Sequence, residues 1–322
     1  MMKIETWISQ HAVLRKRMNA NYMKELLWKI IRTVILSGLV FMILYPLLVK
    51  FTSSIKSASD LADPTVIFFP KEPSISNYRT IIKAVDYVNT FFTSVLFNLL
   101  MSALQIISCV MVAYGLARFK FKGRGLVFAM SIFTLVVPPQ TIMFPMYLRF
   151  KYFNPATAFQ LVGSFSRETS LDLIGTLWPF ILLSITAVGF KNGLFIFMQR
   201  QYFRNQPIAL EEAAYIDGCS PFMTFTRIML PGAGPIILTT FLLSFVWGWN
   251  DAFYTQTLAP EMPLLSSKLF GVAFESFSTG SATMDVYLEN AKMFLLIAPL
   301  IILYIFTQRH FTESIERSGL VG

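Results

Sequence analysis

The sequence is poor in the residues that build disulfides, metal sites and catalytic centres. Its 322 positions include two cysteines, two histidines and 14% charged residues. Cys109 lies in an apolar run and Cys219 in a polar stretch, so we expect neither a disulfide nor a metal ligand set. His11 and His310 lie in polar terminal regions. No catalytic residue and no metal site are therefore predicted.

A phosphate-binding loop is also missing. The G-x-x-x-x-G-K-[ST] loop that holds nucleotide phosphates requires a Gly-Lys dipeptide, and none occurs in the sequence. A nucleophile elbow and a zinc-protease helix are absent as well. We predict that the chain is not an enzyme and binds no cofactor itself. Any energy from ATP and magnesium must then enter through another subunit.

The low charge accompanies a hydrophobic fraction of 55% and a mean hydropathy of +0.58. Soluble proteins contain about 25% charged residues, so the composition indicates a membrane protein. The net charge of +9 fits basic residues that collect in cytoplasmic segments. Nucleic-acid binding is not predicted, because no basic patch is interleaved with aromatic residues.

Six apolar segments are long enough to cross a membrane, which predicts an all-α fold with six transmembrane helices. A basic arm at 1–32 would precede a transmembrane domain at 33–307, and a tail at 308–322 would follow it. The predicted segments are Thr33–Val49, Phe92–Ala117, Leu126–Tyr147, Leu177–Met198, Pro235–Tyr254 and Ala291–Phe306.

The distribution of basic residues predicts that both termini are cytoplasmic. Segments assigned to the inside carry 16 Lys and Arg residues, whereas the outer loops carry nine. The loop at 117–124 contributes four basic residues and no acidic one, which makes it the strongest topological marker.

Two of the segments contain residues that do not suit a plain membrane helix. Pro138-Pro139 breaks the third segment, either as a hinge beside a pore or as a packing kink. Lys191 and Asn192 lie inside the fourth segment, with Lys191 about 13 Å from Arg200 along a helix. Lys191 is a candidate for a translocation path, and the alternative is a snorkelling or helix-paired lysine.

The polar stretch at 199–234 predicts two short helices with a bend between them. Pro207 suits the first helical turn, and Ile208–Ile216 would form a helix whose two glutamates lie near its positive end. Gly218 suits a left-handed helix end. Ser220-Pro221 is typical of an N-cap and first residue, opening a helix Pro221–Leu230 that Pro231-Gly232 would end.

This stretch carries a family resemblance. Glu212-Ala213-Ala214, Gly218, Ile228 and Leu230-Pro231, at this spacing, resemble the EAA loop of bacterial ABC importer permeases. Further resemblance to the carbohydrate-importing branch lies in short phrases. These are Asp217-Gly218 with Phe225 and Arg227, Tyr114–Phe119, and Trp249-Asn250-Asp251. The family resemblance extends over nearly the whole chain after residue 30, although the family's usual basic residue near the very end is absent.

The resemblance implies the type I importer fold, with coupling helices seated in a cleft of an ATPase subunit. Ala213, Ala214 and Ile216 would press into that cleft, Glu212 would meet a basic group, and Gly218 would permit the bend. Asp217, Ile228, Leu230 and Pro231 complete the implied coupling set. Glu211 precedes the motif and receives no role from it.

A second set of candidates concerns the substrate path. Aromatic faces beside amide and carboxylate groups suit a sugar, although an interfacial aromatic belt is the alternative. The candidates are Lys191, Asn192, Trp247, Trp249, Asn250, Asp251 and Tyr254.

The resemblance also implies partners and a location. They are a second homologous permease subunit, two ATPase subunits, an extracytoplasmic solute-binding protein and the lipid of a bacterial inner membrane. Import of another solute class, such as amino acids, peptides or phosphate, remains an alternative. A secondary transporter or channel is a further one, against which the absence of a buried acid relay counts.

Overall fold

The computed structural model describes the backbone of residues 2–154, 170–189, 191–270 and 282–319. It describes side chains for 22–60, 63–154, 170–189, 191–270 and 284–308. Within these ranges the chain is helical, and its extended pairing is limited to an isolated bridge between Phe153 and Leu171. The predicted all-α class is confirmed. Parts of the predicted outer loops, at 155–169 and 271–281, lie outside the described residues.

The helices are numbered in chain order, and a π-helical turn at Phe225–Met229 joins α10 to α11. They are α1 (Met2–Ser54), α2 (Ala58–Ala62), α3 (Ser76–Ala84), α4 (Tyr87–Arg118), α5 (Arg124–Val136), α6 (Pro139–Lys151), α7 (Trp178–Ile185), α8 (Asn192–Asn205), α9 (Ala209–Ile216), α10 (Pro221–Thr224), α11 (Leu230–Gly232), α12 (Gly234–Trp249), α13 (Phe253–Leu258), α14 (Leu265–Phe270) and α15 (Ala282–Gly319).

The chain divides into two compact units. The smaller contains Met1–Asn77 and Thr283–Ala291, and the larger contains Tyr78–Ala282 and Lys292–Gly322. In the smaller unit, the loop after α1 is held by buried polar groups. Asn77 Nδ2 donates to the carbonyls of Ser54 and Lys56 at 2.9 and 3.0 Å. These bonds give the loop a defined path, because an unpaired buried amide would be unfavourable.

The larger unit is organised around α4, which packs against α7, α8, α12 and α14. Its buried face is apolar toward the C-terminal end, where Cys109 and Ala113 are fully buried. Nearer the middle, the same face carries a polar stripe. Its members, spaced three or four residues apart and therefore on one side of the helix, are Ser94, Asn98, Ser102 and Gln105.

Three helices in the described part of the chain are long and apolar enough to span a membrane: Tyr22–Ser54, Tyr87–Arg118 and Met284–Gln308. Two bent pairs raise the number to five if each is one span. The first pair, Arg124–Val136 with Pro139–Lys151, bends by 105°. It confirms the predicted break at Pro138-Pro139. The second pair, Pro221–Gly232 with Gly234–Trp249, bends by 75°.

The fourth predicted segment differs from the structure. It is interrupted between α7, which ends at Ile185, and α8, which begins at Asn192. Ala187 and Lys191 have φ angles of +56° and +62°, a left-handed backbone conformation that no helix continues through. Lys191 therefore lies at a helix start and not within a continuous span.

Candidate functional sites

The first site is the pair of short helices in the stretch 199–234, which the sequence predicted. α9 begins at Ala209, one residue later than expected, and ends at Ile216. Gly218 has a φ of +83°, as its predicted left-handed role requires. The N–H of Cys219 donates to the carbonyl of Ala214 at 2.9 Å, which closes the end of the helix.

The second short helix begins as predicted but differs toward its end. Ser220 Oγ accepts from the N–H of Met223 at 3.3 Å, and Pro221 is the first helical residue. Instead of one α-helix to Leu230, a π-helical turn follows α10, and Pro231 lies inside α11. The helix ends at Gly232, two residues later than expected, and the chain bends directly after it. The prediction that Pro231-Gly232 marks the end of this helix is confirmed to within two residues.

Exposure separates the motif residues into two groups. Glu212, Ala213, Asp217 and Gly218 are exposed, and Ile216 has 86% of its surface exposed. Exposed apolar residues flank them: Ile208 at 61% and Phe222 at 70%. We call Ile208, Ile216 and Phe222 the docking face. An isoleucine this exposed in a short helix is suited to contact with a partner.

Three of the other motif residues pack on their own chain. Ala214 is 2% exposed, so its side chain is covered by its own chain and is not available as an exposed contact surface. Ile228 and Leu230 are partly buried against the core cluster around Phe203 and Phe225. Pro231 is exposed. The spacing of Ala214, Ile228 and Leu230 therefore reflects how the two short helices rest on the larger unit.

Glu211 is a residue that the sequence reasoning left without a role. It is buried to 6% exposure, and its carboxylate lies 3.1 Å from Arg118 Nε. Tyr114 Oη donates to the same carboxylate at 2.9 Å. Both partners lie on the last turns of α4, nearly a hundred residues earlier in the chain. Local sequence rules carry no signal for such a contact.

The second site is a partly open cavity of about 80 Å³ in the larger unit. Its wall combines aromatic rings with amide, hydroxyl and carboxylate groups. The residues that give it this character are Asn98, Ser102, Gln105, Ser244, Trp247 and Asp251. α4 supplies three of them, and α12 supplies Ser244 and Trp247.

A hydrogen-bond network connects the polar wall to the start of α8. Gln105 Nε2 donates to Asn192 Oδ1, and Ser244 Oγ donates to Gln105 Oε1. Ser244 Oγ also lies 3.1 Å from Ser102 Oγ. Asn192 is 2% exposed, and its Nδ2 has no hydrogen-bond partner among the described residues. The predicted candidate Asn192 therefore supports the wall through Gln105.

Other predicted path residues are divided between the cavity and its surroundings. Trp247, Asp251 and Tyr254 line it. The Lys191 ammonium lies 5.8 Å from the centre of the Trp247 ring, and Lys191 is exposed. The Asp251 carboxylate accepts from the N–H groups of Tyr254 and Thr255 at 3.3 and 3.2 Å, so it also caps α13.

Two candidates lie elsewhere. Trp249 is 2% exposed, and its Nε1 donates to the carbonyl of Leu296 on α15 at 3.0 Å. Asn250 is exposed and donates to the carbonyl of Val246 at 2.8 Å. Consecutive positions on a helix point in different directions. For this reason, the side chains of Trp247–Asp251 could not all face one cavity.

Sequence reasoning missed the polar residues of α4 and α12 that line the cavity. A signal was present, since Asn98, Ser102 and Gln105 recur at helical spacing inside an otherwise apolar segment. Polar residues at such positions face protein or water and not lipid.

Comparisons with known proteins agree on one kind of protein. The arabinooligosaccharides transport system permease protein of Halalkalibacterium halodurans is 28% identical over 301 residues, covering 90% of this chain and 95% of that protein. The trehalose transport system permease protein of Mycobacterium tuberculosis is 25% identical over 281 residues, covering 87% and 93%.

The structure is similar to a chain of a bacterial ABC transporter involved in the import of the acidic polysaccharide alginate. The TM-score is 0.64 at 21% identity, covering 88% of this chain and 96% of that chain. This similarity shows the type I ABC importer permease fold. The profile of the family described as binding-protein-dependent transport system inner membrane component matches residues 105–312. The chain therefore belongs to the family of inner-membrane components of binding-protein-dependent transport systems.

Proposed function

We propose that this chain is one of two permease subunits of an ATP-driven carbohydrate importer, and that α9 is its coupling helix. The observation that carries the proposal is the docking face. Ile216 is 86% exposed on a helix whose buried side is fixed to the chain. A short helix of this kind is suited to a groove on another protein.

The charges around the docking face indicate what it contacts. Glu212 and Asp217 are exposed beside it, so a basic group at the rim of an apolar cleft would complement it. Acidic residues at these positions disfavour the alternative of α9 lying on anionic lipid. A separate ATPase subunit that offers such a cleft agrees with the missing phosphate loop.

The cavity supports a carbohydrate as substrate. Sugars present C–H faces that stack on aromatic rings and hydroxyl groups that exchange hydrogen bonds. Trp247 offers a ring, while Asn98, Ser102 and Asp251 offer donors and acceptors in the same wall. The permease relatives named for arabinooligosaccharides and trehalose are consistent with this class of substrate.

The remaining partners follow from the family and from exposed surfaces. An extracytoplasmic binding protein would deliver the substrate, and two ATPase subunits would supply energy. In the span Tyr22–Ser54, no residue of its most apolar stretch is buried inside the chain. That surface is available to lipid and to a second permease subunit, in a bacterial inner membrane with both termini cytoplasmic.

The docking role is tested by charge placed on the coupling helix. Ile216→Asp would place a charge in the apolar cleft, and Glu212→Lys would remove the acidic partner of the basic group at its rim. Each variant should therefore release the ATPase subunits from the purified complex and abolish ATP-driven uptake. Ile67→Asp is the matched control, since Ile67 is 70% exposed on the loop predicted to lie outside. Retention of the ATPase subunits and full uptake by both variants would refute the docking role.

The substrate class is tested by competition. Cells that express the complex should take up a labelled arabinooligosaccharide or trehalose, and unlabelled sugars should compete while amino acids, peptides and phosphate do not. Competition by an amino acid and not by any sugar would favour the other substrate class.

A further inference from the structure

The coupling helix carries two neighbouring glutamates in opposite surroundings. Glu212 is exposed, whereas Glu211 is 6% exposed. Removal of a carboxylate from water is unfavourable unless partners compensate it. Two partners of Glu211 come from α4: Arg118 Nε at 3.1 Å and Tyr114 Oη at 2.9 Å. Solubility does not explain the buried carboxylate of Glu211 in so short a helix.

Arg118 contacts the chain on both sides of the coupling helix's start. Its Nη2 donates to the carbonyl of Gln206, the residue directly after α8, at 2.9 Å. Its Nε approaches Glu211 at ion-pair distance, although the N–H is not aligned as a hydrogen bond. One guanidinium thus joins the end of α4 to the end of α8 and to α9.

Tyr114 adds an aromatic anchor beside the ion pair. Its ring centre lies 4.7 Å from that of Phe225 in the π-helical turn and 5.4 Å from that of Phe203 in α8. The ring is fixed from two directions while its hydroxyl holds Glu211. Together, Tyr114, Arg118 and Glu211 form what we call the latch.

The latch and the cavity wall share one unbroken helix. α4 runs from Tyr87 to Arg118, and Gln105 in the wall lies about 20 Å from Arg118 at 1.5 Å per residue. Resting on the proposed function, we propose that the latch fixes the coupling helix to α4. A displacement of the ATPase cleft then moves the cavity wall. Glu211 is a positioning residue in this arrangement.

A purely structural ion pair is the alternative. Both side chains of the Arg118–Glu211 pair are buried, at 9% and 8% exposure. The ion pairs Lys71–Asp63 and Lys151–Asp172, by contrast, lie at exposed positions. Burial at the junction of three helices favours a mechanical role, and the experiment separates the two roles.

The experiment measures how ATP changes the cavity in the complete complex with its ATPase subunits. Asn250→Cys, exposed next to the cavity residue Asp251, serves as a reporter for maleimide labelling. Cys219→Ser removes the partly exposed native thiol, and Cys109 is fully buried. The labelling rate is compared with and without ATP plus vanadate, in the parent and in Glu211→Gln.

We expect Glu211→Gln to retain its ATPase subunits while the nucleotide-dependent change in labelling falls about tenfold. The double variant Glu211→Gln/Arg118→Gln leaves no unpaired buried charge, so it should regain thermal stability without regaining the response. Asp172→Asn, which breaks an exposed ion pair, is the matched control and should respond fully. If Glu211→Gln does not fold, Tyr114→Phe removes one hydroxyl and should reduce the response about threefold.

Two results overturn the latch. One is a full response in Glu211→Gln or Tyr114→Phe with only a lower thermal midpoint, and the other is recovery of the response together with stability in the double variant. Failure of the proposed function looks different. In that case the parent complex itself shows no response to nucleotide, or Ile216→Asp retains its ATPase subunits, and the latch proposal falls with it.

Discussion

Gly218 determines the geometry between α9 and α10. Its φ is +83°, and a Cβ added there would meet no atom within 4 Å. The obstacle to substitution is therefore backbone strain and not lack of space. The left-handed conformation costs most residues about 1–2 kcal/mol, while asparagine tolerates it better.

We therefore expect a graded series at this residue. Gly218→Val should abolish ATP-driven uptake and the stimulation of ATPase activity, Gly218→Ala should reduce both, and Gly218→Asn should retain the most activity. Insertion into the membrane should not change. Gly234→Ala is the control, because that glycine has open space and an ordinary φ. Full uptake by the valine variant would mean that the turn has no part in coupling.

Asp63 offers a pH-dependent measurement in the smaller unit, outside the spans. Hydrogen bonds from Lys71 and Thr65 hold the pKa of its carboxyl well below the usual range. A carboxyl whose folded-state pKa is lowered contributes stability above its ordinary pKa of about 3.9, and this contribution is lost as the pH falls further.

The backbone N–H of Thr65, which donates to Asp63 Oδ1 at 2.9 Å, reports this loss. Its hydrogen-exchange protection factor should be constant near neutral pH and should fall below about pH 4. In Asp63→Asn the protection should not depend on pH in this way. Constant protection in the parent protein down to about pH 2 would show that the carboxyl does not order the loop.

Local rules predicted Gly218 and Ser220 correctly, because a left-handed glycine and an N-cap depend on adjacent residues only. They did not predict which face of α9 is buried. Ala214 and Ile216 belong to the same motif, yet one is 2% and the other 86% exposed. The difference depends on the parts of the chain that pack beside α9, which the motif does not contain. Glu211 was missed for the same reason.

At the scale of helices, the crossing of α8 and α5 depends on Gly193. A Cβ at this position would lie 2.1 Å from the carbonyl oxygen of Ser131 and 2.9 Å from Thr134 Oγ1. The first of these atoms belongs to the backbone of α5, so no side-chain rotation relieves the clash. The two helices can approach closely only because residue 193 has no side chain.

Gly193→Ala should separate α8 from α5 and lower the free energy of unfolding by about 1–3 kcal/mol, as overpacking typically does. The loss of stability is measured as a lower thermal midpoint of the purified complex. Gly125→Ala, on α5 with open space around it, is the matched control and should have little effect. An unchanged midpoint in Gly193→Ala would show that the helices can move apart freely.

The sequence predicted helix positions better than helix breaks. α4 starts five residues before the predicted segment and ends one residue after it, and the break at Pro138-Pro139 follows from proline geometry. The break between α7 and α8 was not predicted. Hydropathy measures transfer from water, and it carries no information about a positive φ at Ala187 or Lys191.

At the scale of the whole molecule, the number of membrane crossings depends on α7 and α8. In the described part of the chain, three helices qualify as spans by length and composition, or five with the bent pairs. We predict from the distribution of basic residues that both termini lie inside, which requires an even number of crossings. The segment containing α7 and α8 would supply the sixth crossing if it passes through the membrane despite its break.

Reporter proteins fused to each terminus show whether the number of membrane crossings is even or odd. We expect both fusions to report the cytoplasm, with Lys122→Cys protected from an impermeant maleimide in intact cells and Lys71→Cys labelled. The two cysteine positions serve as internal controls, since they lie in loops of opposite predicted sides. If the termini report opposite sides, the number of crossings is odd. In that case α7 and α8 would enter and leave on the same side, and Lys191 would line a re-entrant segment at the cavity mouth.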